Sequence, residues 1–300
     1  MMQVLVLGGT RFIGKSLVNT LLETGQDVTI SSRKHYPANH EQLRQITCER
    51  TDLRKQIKSF NSFDFVFDFT AYDVKDLMIL PDGHPNFQYF LISTDWVTML
   101  EAQAKSYLTQ EQIKYVHKKA QVENLLNDIF GEKSCSIRLP KTIGIEDHHK
   151  RLNYYIRKLE HITNPVFSSE TYHLSFTWIE DLISALSKIV EDKVNLPRHV
   201  RAISRERVTH AEFLGELATS LGLNISPKLL TLEEISSALP LLIQVDALIL
   251  EELHEDSTPL LFNILREDSQ KSKLRQMPDS QNLRLDSLQE LAILQELNHG

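Results

Sequence analysis

The chain has 300 residues, 41% of them hydrophobic, and its 33 Lys and Arg against 40 Asp and Glu give a net charge of −7. This length is enough for one large domain with a smaller lobe, and the acidic balance argues against nucleic-acid binding, which needs a concentrated basic face. The two cysteines have no C-x-x-C spacing, which is typical of a reducing compartment, so we expect a cytoplasmic protein. We find no signal peptide and no membrane-spanning segment, and expect no membrane partner.

The first predicted strand runs straight into a glycine-rich turn. Residues 3–14 read QVLVLGGTRFIG, and a helical pattern follows. A strand, a glycine turn and a helix start form the unit that holds a dinucleotide pyrophosphate at a helix N-terminus. Arg11 stands where a G-x-x-G-x-x-G pattern has its middle glycine. We predict cofactor contacts from this turn at Gly8, Thr10, Arg11, Phe12, Ile13 and Gly14.

The second predicted strand ends without an acidic residue. It reads DVTISS and is followed by Arg33 and Lys34. An NAD-binding unit places Asp or Glu there to accept hydrogen bonds from the ribose hydroxyls, whereas cations suit the 2′-phosphate of NADP. Arg33 and Lys34 therefore favour NADP(H) over NAD(H), and Arg11 points the same way. The alternative is that the two cations belong to a solvated loop end.

Apolar strands alternate with amphipathic helices through the first half of the chain. Further strands are predicted in QLRQIT, FDFVFDFTA, NFQYFLIST and CSIRLP, and a helix from about Gln110 to Phe130. The alternation predicts an α/β fold with a Rossmann-type doubly wound parallel sheet. We assign residues 1–146 to a dinucleotide-binding Rossmann core. Residues 147–300 are expected to form mainly a smaller C-terminal substrate lobe, partly interleaved with the core.

A tyrosine and a lysine lie four residues apart on the predicted long helix, in KYVHKKAQVENLL. This spacing places Tyr115 and Lys119 on one helix face, where the lysine charge is expected to lower the phenol pKa and suit it to proton transfer. Ser93 and Thr94 end the preceding strand and offer hydroxyls for a substrate carbonyl oxygen. The occurrence of a glycine turn, a strand-end hydroxyl, a tyrosine and a lysine in this order is a more specific indication of dinucleotide-dependent catalysis than any one of these features alone.

These motifs together resemble the extended short-chain dehydrogenases/reductases, the NAD-dependent epimerase/dehydratase family, in its GGTRFIG branch. The resemblance rests on LGGTRFIG, FDFVFDFTAY, FLIST, YVHKKAQVE, RLPKTIG and FTWIEDLISAL. It implies a bound nicotinamide cofactor and a catalytic set of Thr94, Tyr115 and Lys119. It also implies further cofactor contacts, made by Asp52, Leu53, Thr70, Ala71, Lys119, Pro140 and Ile143.

Two departures from the family pattern bear on the substrate. Trp96 replaces the glutamate of the ISTDE segment of sugar-nucleotide dehydratases, so a 4,6-dehydratase is disfavoured. Lys141 replaces the asparagine of R-x-x-N-x-x-G, which weakens a sugar-nucleotide reading without excluding it. Residues 146–149, EDHH, have acid and imidazole groups, but we expect a polar loop there and no metal site.

Three functions stay open. The first is an NADP(H)-dependent oxidoreductase or epimerase, transferring hydride at a secondary alcohol or ketone of a small-molecule substrate. The second is a sugar-nucleotide epimerase that uses NAD. The third is a catalytically inactive nucleotide-binding or RNA-associated protein, against which the acidic net charge and the Tyr115–Lys119 pair both argue. We expect a monomer or a homodimer.

Overall fold

The structure is a computed structural model that describes residues 1–57, 59–81, 86–101, 108–144, 146–147, 149–162, 164–239, 242, 248 and 257–265. The chain divides into two compact units. The described part of the first unit lies within 1–140, 177–203 and 257–265, and that of the second within 141–176 and 204–254.

A seven-stranded sheet forms the centre of the first unit. Its order is β10-β6-β5-β4-β1-β2-β3, and all neighbouring strands are parallel. The chain starts in the middle of the sheet, proceeds to one edge and then returns to the other side, as in a doubly wound fold. The strands are β1 (Gln3–Leu7), β2 (Asp27–Ser32), β3 (Leu43–Thr47), β4 (Phe65–Asp68), β5 (Gln88–Thr94), β6 (Ser134–Leu139) and β10 (His199–Arg201).

Helices cover both faces of this sheet, which is why its central strands are apolar on both sides. One buried cluster joins the sheet to α1 and α6, and a second joins its other face to α4. The helices of this unit are α1 (Phe12–Glu23), α2 (Leu53–Gln56), α3 (Trp96–Glu101), α4 (Gln110–Phe130), α6 (Ile179–Glu191) and α9 (Leu261–Ile264). Helix α6 directly follows the short strand β9 (Phe176–Trp178).

The second unit is built on shorter elements. Its two-stranded parallel sheet pairs β8 with β11, and an aromatic cluster of Tyr155, Phe176 and Phe213 packs edge to face. The remaining elements are β7 (Lys141–Ile143), α5 (Arg151–His161), β8 (Val166–Ser168), α7 (His210–Ser220), β11 (Lys228–Leu230) and α8 (Leu232–Ala238).

The predicted Rossmann-type sheet is confirmed, and α4 spans the predicted residues. The sequence LRKQIKSF also predicts a helix, but α2 ends at Gln56 and the backbone is extended at Ile57, whose side chain is buried. The apolar stretch ALPLLIQVDALILEEL, which is interrupted by Asp246, predicts a buried helix; it lies mostly outside the described residues. Among the described helices, none combines the length and the hydropathy that a membrane span requires.

Candidate functional site

The turn after β1 is packed so tightly that its glycines have no room for a side chain. A Cβ on Gly9 would lie 2.3 Å from Ile30 Cγ2, and one on Gly14 would lie 2.5 Å from the carbonyl oxygen of Gly8. Gly8 also has a φ of +92°, which favours glycine. The turn therefore lies directly against β2 and against the first turn of α1.

The N-terminus of α1 is suited to an anion. Arg11 is the N-cap residue but its side chain makes no capping hydrogen bond, and the first turn contains no acidic side chain. The first amide groups of a helix point along its axis and carry partial positive charge. No acidic side chain of this first turn neutralises that charge, and the exposed Arg11 adds to it. Thr10 and Ile13 are half-buried beside it, and Phe12 is buried with a φ of 36°.

The end of β2 presents cations to solvent. Arg33 and Lys34 are both exposed, while Ser32 Oγ donates to the Lys34 carbonyl at 2.5 Å. After β3, Asp52 accepts a hydrogen bond from Lys55 Nζ at 2.7 Å. Leu53 is buried, so its side chain belongs to the core below the loop.

A buried ion pair fixes the loop that follows β4. The Arg50 guanidinium donates from Nη1 and Nη2 to the two carboxylate oxygens of Asp68, at 3.0 and 2.6 Å. Asp68 also accepts from the Tyr89 hydroxyl and from the backbone N–H of Thr70. Asp68 is completely buried, which opposes its ionisation, but the charge of Arg50 still holds the pKa of Asp68 below its usual value. Sequence reasoning missed this cluster, although an aspartate inside the apolar run FVFDF was its signal.

Lys119 is buried on the core face of α4. Its Nζ donates to the carbonyl oxygens of Ala71 and Ile92, each at 2.8 Å, and lies 4.8 Å from the ring centroid of Tyr72. Burial lowers its pKa to about 8, against the attraction of nearby carboxylates. Lys119 thus joins the loop after β4, the end of β5 and the long helix.

Tyr115 lies one turn earlier on α4, half-buried, with its ring centroid 6.3 Å from that of Tyr72. Burial raises the pKa of its phenol, and Tyr72 contributes in the same direction. The prediction that Lys119 lowers the pKa of Tyr115 is therefore wrong, because the pKa of this phenol is raised. The helix brings the two residues to neighbouring turns, but the buried, backbone-bonded ammonium does not offset the desolvation of the phenol.

Of the two hydroxyls at the end of β5, only Thr94 remains partly exposed. Its Oγ1 accepts from the backbone N–H of Trp96 at 3.4 Å. Ser93 is buried and donates to Glu123 at 2.5 Å, so the suggestion that it binds a substrate carbonyl is wrong. A hydroxyl turned into the core and committed to a carboxylate is not available to a ligand.

Glu123 belongs to a buried charged network beneath this strand end. Arg138 donates to Glu123 Oε2 from Nη2 at 2.7 Å and to Glu101 from Nη1 at 2.6 Å. The network joins α3, α4, β5 and β6, which carry Thr94 and Tyr115. Sequence reasoning did not find it, although Glu123 follows Lys119 by four residues and so lies on the same helix face.

The remaining predicted positions are buried. Pro140, which follows β6, is the last residue before the second unit, and Ile143 lies in β7 of that unit. In the EDHH segment, Asp147 pairs with Arg151 at 2.9 Å, and His148 lies outside the described residues. The residues that the structure describes contain no group of three or more side chains suited to a metal ion.

The C-terminal ends of parallel strands lie at one edge of a sheet, and the candidate site follows the ends of β1, β2, β4 and β5 there. Residues 4–77 match the model of the NAD dependent epimerase/dehydratase family. The chain has the fold of the NAD-dependent epimerases and dehydratases. The resemblance to this family that the sequence predicts is thus supported by the match over residues 4–77 and by the shared fold, while the GGTRFIG branch stays a prediction.

Several solved epimerases and dehydratases share the fold along most of their length. A UDP-N-acetylglucosamine 4-epimerase from Methanobrevibacter ruminantium M1, in complex with UDP-N-acetylmuramic acid, is 16% identical, with a TM-score of 0.64 over 91% of this chain and 96% of that one. A dTDP-glucose 4,6-dehydratase from Bacillus anthracis, in complex with NAD, is 14% identical, with a TM-score of 0.61 over 92% and 95%.

A third structure, a UDP-glucuronic acid 4-epimerase from Bacillus cereus in complex with NAD, is 15% identical, with a TM-score of 0.59 over 88% of this chain and 94% of that one. A search of curated protein sequences gives no match. At these identities the likeness establishes the epimerase/dehydratase fold, while the activity has to be argued from the site.

Proposed function

We propose that this protein is an oxidoreductase or epimerase of the extended short-chain dehydrogenase type, acting at a secondary alcohol or ketone. The observation that carries the proposal is the close-packed glycine turn at the uncapped N-terminus of α1, at the same sheet edge as Thr94, Tyr115 and Lys119. The second unit is proposed to contribute to substrate binding.

The residues present fit a nicotinamide dinucleotide. The space that a Cβ on Gly8, Gly9 or Gly14 would need is already filled by neighbouring atoms, so the backbone of the turn can pack as closely as a pyrophosphate-binding turn requires. Backbone amides and a helix N-terminus are the groups that hold a pyrophosphate. When bound, the cofactor supplies a hydride donor or acceptor for the substrate carbon.

Three side chains of the chain have proposed roles toward the substrate. The Tyr115 phenol gives or takes the proton at the substrate oxygen, and Thr94, partly exposed, orients that oxygen by a hydrogen bond. Burial raises the pKa of the Tyr115 phenol, so the group is protonated at neutral pH and carries the proton that a ketone oxygen would receive, although the higher pKa makes it a weaker acid. Lys119 holds the loop after β4 in place and supplies positive charge below its pKa of about 8.

NADP(H) is the proposed cofactor. Arg33 and Lys34 are exposed at the end of β2, and no carboxylate follows Ser32 to repel a 2′-phosphate. Two of the similar structures are described as complexes with NAD, which favours the alternative of an NAD-dependent sugar-nucleotide epimerase. The two alternatives differ in the charge that the end of β2 must accommodate.

A nucleotide-binding protein without catalysis is the remaining alternative. It is favoured by one observation: two of the three donors of Lys119 are used on backbone carbonyls, and Tyr72 covers the ammonium. A lysine with only a structural role would have the same contacts.

Turnover with a panel of carbonyl compounds tests the proposal. NADPH oxidation is followed with wild type, Tyr115→Phe and Tyr154→Phe, the last a half-buried tyrosine of the second unit that serves as a matched control. We expect Tyr115→Phe to lose at least about a hundredfold in kcat, as removal of a general acid does, with NADPH affinity unchanged. Full activity in Tyr115→Phe would contradict the mechanism.

A further inference from the structure

The second unit contains a buried guanidinium with no hydrogen-bonding partner in the described part of the chain. Arg157 lies in α5 with only 7% of its surface exposed. Its Nη1 atom is closed off from solvent and donates no hydrogen bond. An arginine stays charged inside proteins, so its desolvation has to be compensated by a partner.

The other deeply buried arginines of the described chain all have carboxylate partners. Arg138 binds Glu101 and Glu123, and Arg201 Nε donates to Asp95 at 2.6 Å. These two arginines follow the usual rule that a buried charge is paired. Among the buried arginines that the structure describes, Arg157 alone is without a carboxylate partner, which makes it a candidate for binding a charge that comes from a ligand.

The surroundings of Arg157 in sequence are cationic. The helix and its N-cap contain Lys150, Arg151, Arg157 and Lys158, whereas its one acid, Glu160, is exposed. Arg151 is already committed to Asp147. In a chain with a net charge of −7, this helix has more cations than acids, and such an excess favours an anion over a cation as its ligand.

A second buried polar atom of the same unit is also without a hydrogen bond. Thr142 is 4% exposed, and its Oγ1 has no partner. The carbonyl of Thr142 accepts from Arg151 Nη1 at 3.3 Å, so the start of α5 is joined to β7. Hydroxyl and guanidinium groups are donors that suit the oxygens of an anion.

We propose that Arg157 is the principal residue of an anion-binding site in the second unit, which takes a carboxylate or phosphate group of a small-molecule ligand. The planar guanidinium matches two oxygens of either group with parallel hydrogen bonds. This goes beyond the proposed hydride transfer, which requires no anion in this unit.

Thermal unfolding of the full chain with inorganic phosphate and, separately, with acetate tests the proposal. The variants are Arg157→Met, which keeps the length of the side chain without its charge, and Arg157→Lys, which keeps the charge without the fork. Lys228→Met removes an exposed cation of the same unit and is the matched control for net charge. Phosphate and acetate separate the two classes of oxyanion.

We expect the wild-type midpoint to rise by about 5 °C at a hundredfold excess of the preferred anion over its Kd. Lys228→Met should respond equally, Arg157→Lys less, and Arg157→Met not at all. In anion-free buffer Arg157→Met should unfold at or above the wild-type temperature, because an uncompensated buried charge has been removed.

Three outcomes would overturn the proposal: a wild-type midpoint that neither anion moves, a full response in Arg157→Met, or a midpoint of Arg157→Met several degrees below wild type in anion-free buffer. The second would place the anion elsewhere, for example at the turn after β1. NADPH fluorescence should be equal in wild type and Arg157→Met, so failure of this site and failure of the proposed cofactor binding are distinguishable.

Discussion

Lys119 Nζ donates a hydrogen bond to the carbonyl oxygen of Ala71 at 2.8 Å, across 48 positions of the chain. The bond fastens the long helix α4 to the loop after β4, beside the glycine turn. A second bond, to Ile92, extends the connection to β5. The lysine that the sequence pattern predicts as a catalytic group is thus also the central structural cation of the site.

The first prediction concerns the pH dependence of stability. Because burial lowers the pKa of Lys119 from 10.5 to about 8, the folded state binds this proton less tightly than the unfolded chain. The cost of the buried charge is fully present below pH 8 and is relieved as the pH rises from 8 toward 10.5. Wild type should therefore gain about 1–2 kcal/mol between pH 7.5 and 9.5 relative to Lys119→Met.

Urea unfolding of both proteins at a series of pH values measures this difference. Groups that titrate identically in the two proteins contribute equally to both free energies of unfolding, so the difference between the two curves isolates Lys119. Parallel curves for wild type and Lys119→Met would show that the lysine has an ordinary pKa and would contradict the burial of its charge.

The second prediction concerns the ion pair between Arg50 and Asp68, which fixes the loop after β4. Arg50→Met leaves the fully buried Asp68 carboxylate without its cation, and should lower the free energy of unfolding by about 3–5 kcal/mol. Arg44→Met removes an exposed arginine from β3 and should change it by less than about 0.5 kcal/mol. Urea unfolding at pH 7 compares the two, and equal effects would refute the structural role of the pair.

The third prediction separates two glycines by the space around them. Gly14→Ala drives a Cβ to 2.5 Å from the backbone oxygen of Gly8, so it should cost about 1–3 kcal/mol and weaken NADPH binding. Gly215 lies in α7 with nothing within 4 Å of such a Cβ. Gly215→Ala should stabilise the protein by about 0.5–1 kcal/mol and leave NADPH binding unchanged. Tolerance of alanine at Gly14 would contradict the close packing of the turn.

The sheet was predictable because its strands are short apolar runs separated by turn residues, and parallel strands buried on both faces keep that pattern. The helix Gln110–Phe130 was equally readable, since Val122, Leu126 and Phe130 recur at every fourth position and Thr109 with Gln112 forms a capping box. These are local signals, which can be recognised in the sequence without knowledge of the tertiary structure.

The electrostatics of the site were not predictable in the same way. The raised pKa of Tyr115 depends on burial and on Tyr72, which is 43 positions away in sequence. The hydrogen bond from Ser93 to Glu123 depends on which face of β5 packs against α4. Alternation along a strand identifies its two faces, but only the packed structure decides which hydroxyl becomes buried.

The central claim, a dinucleotide site that prefers NADPH, is tested most directly by fluorescence titration with NADPH and NADH. Wild type should bind NADPH at least about tenfold more tightly than NADH, since two exposed cations and no carboxylate end β2. Arg33→Ala should remove most of that preference by weakening NADPH alone, whereas Arg44→Ala, an exposed arginine on the neighbouring strand, should not. NADH binding as tight as NADPH, or unchanged NADPH affinity in Arg33→Ala, would contradict the preference, and binding of neither dinucleotide would contradict the site itself.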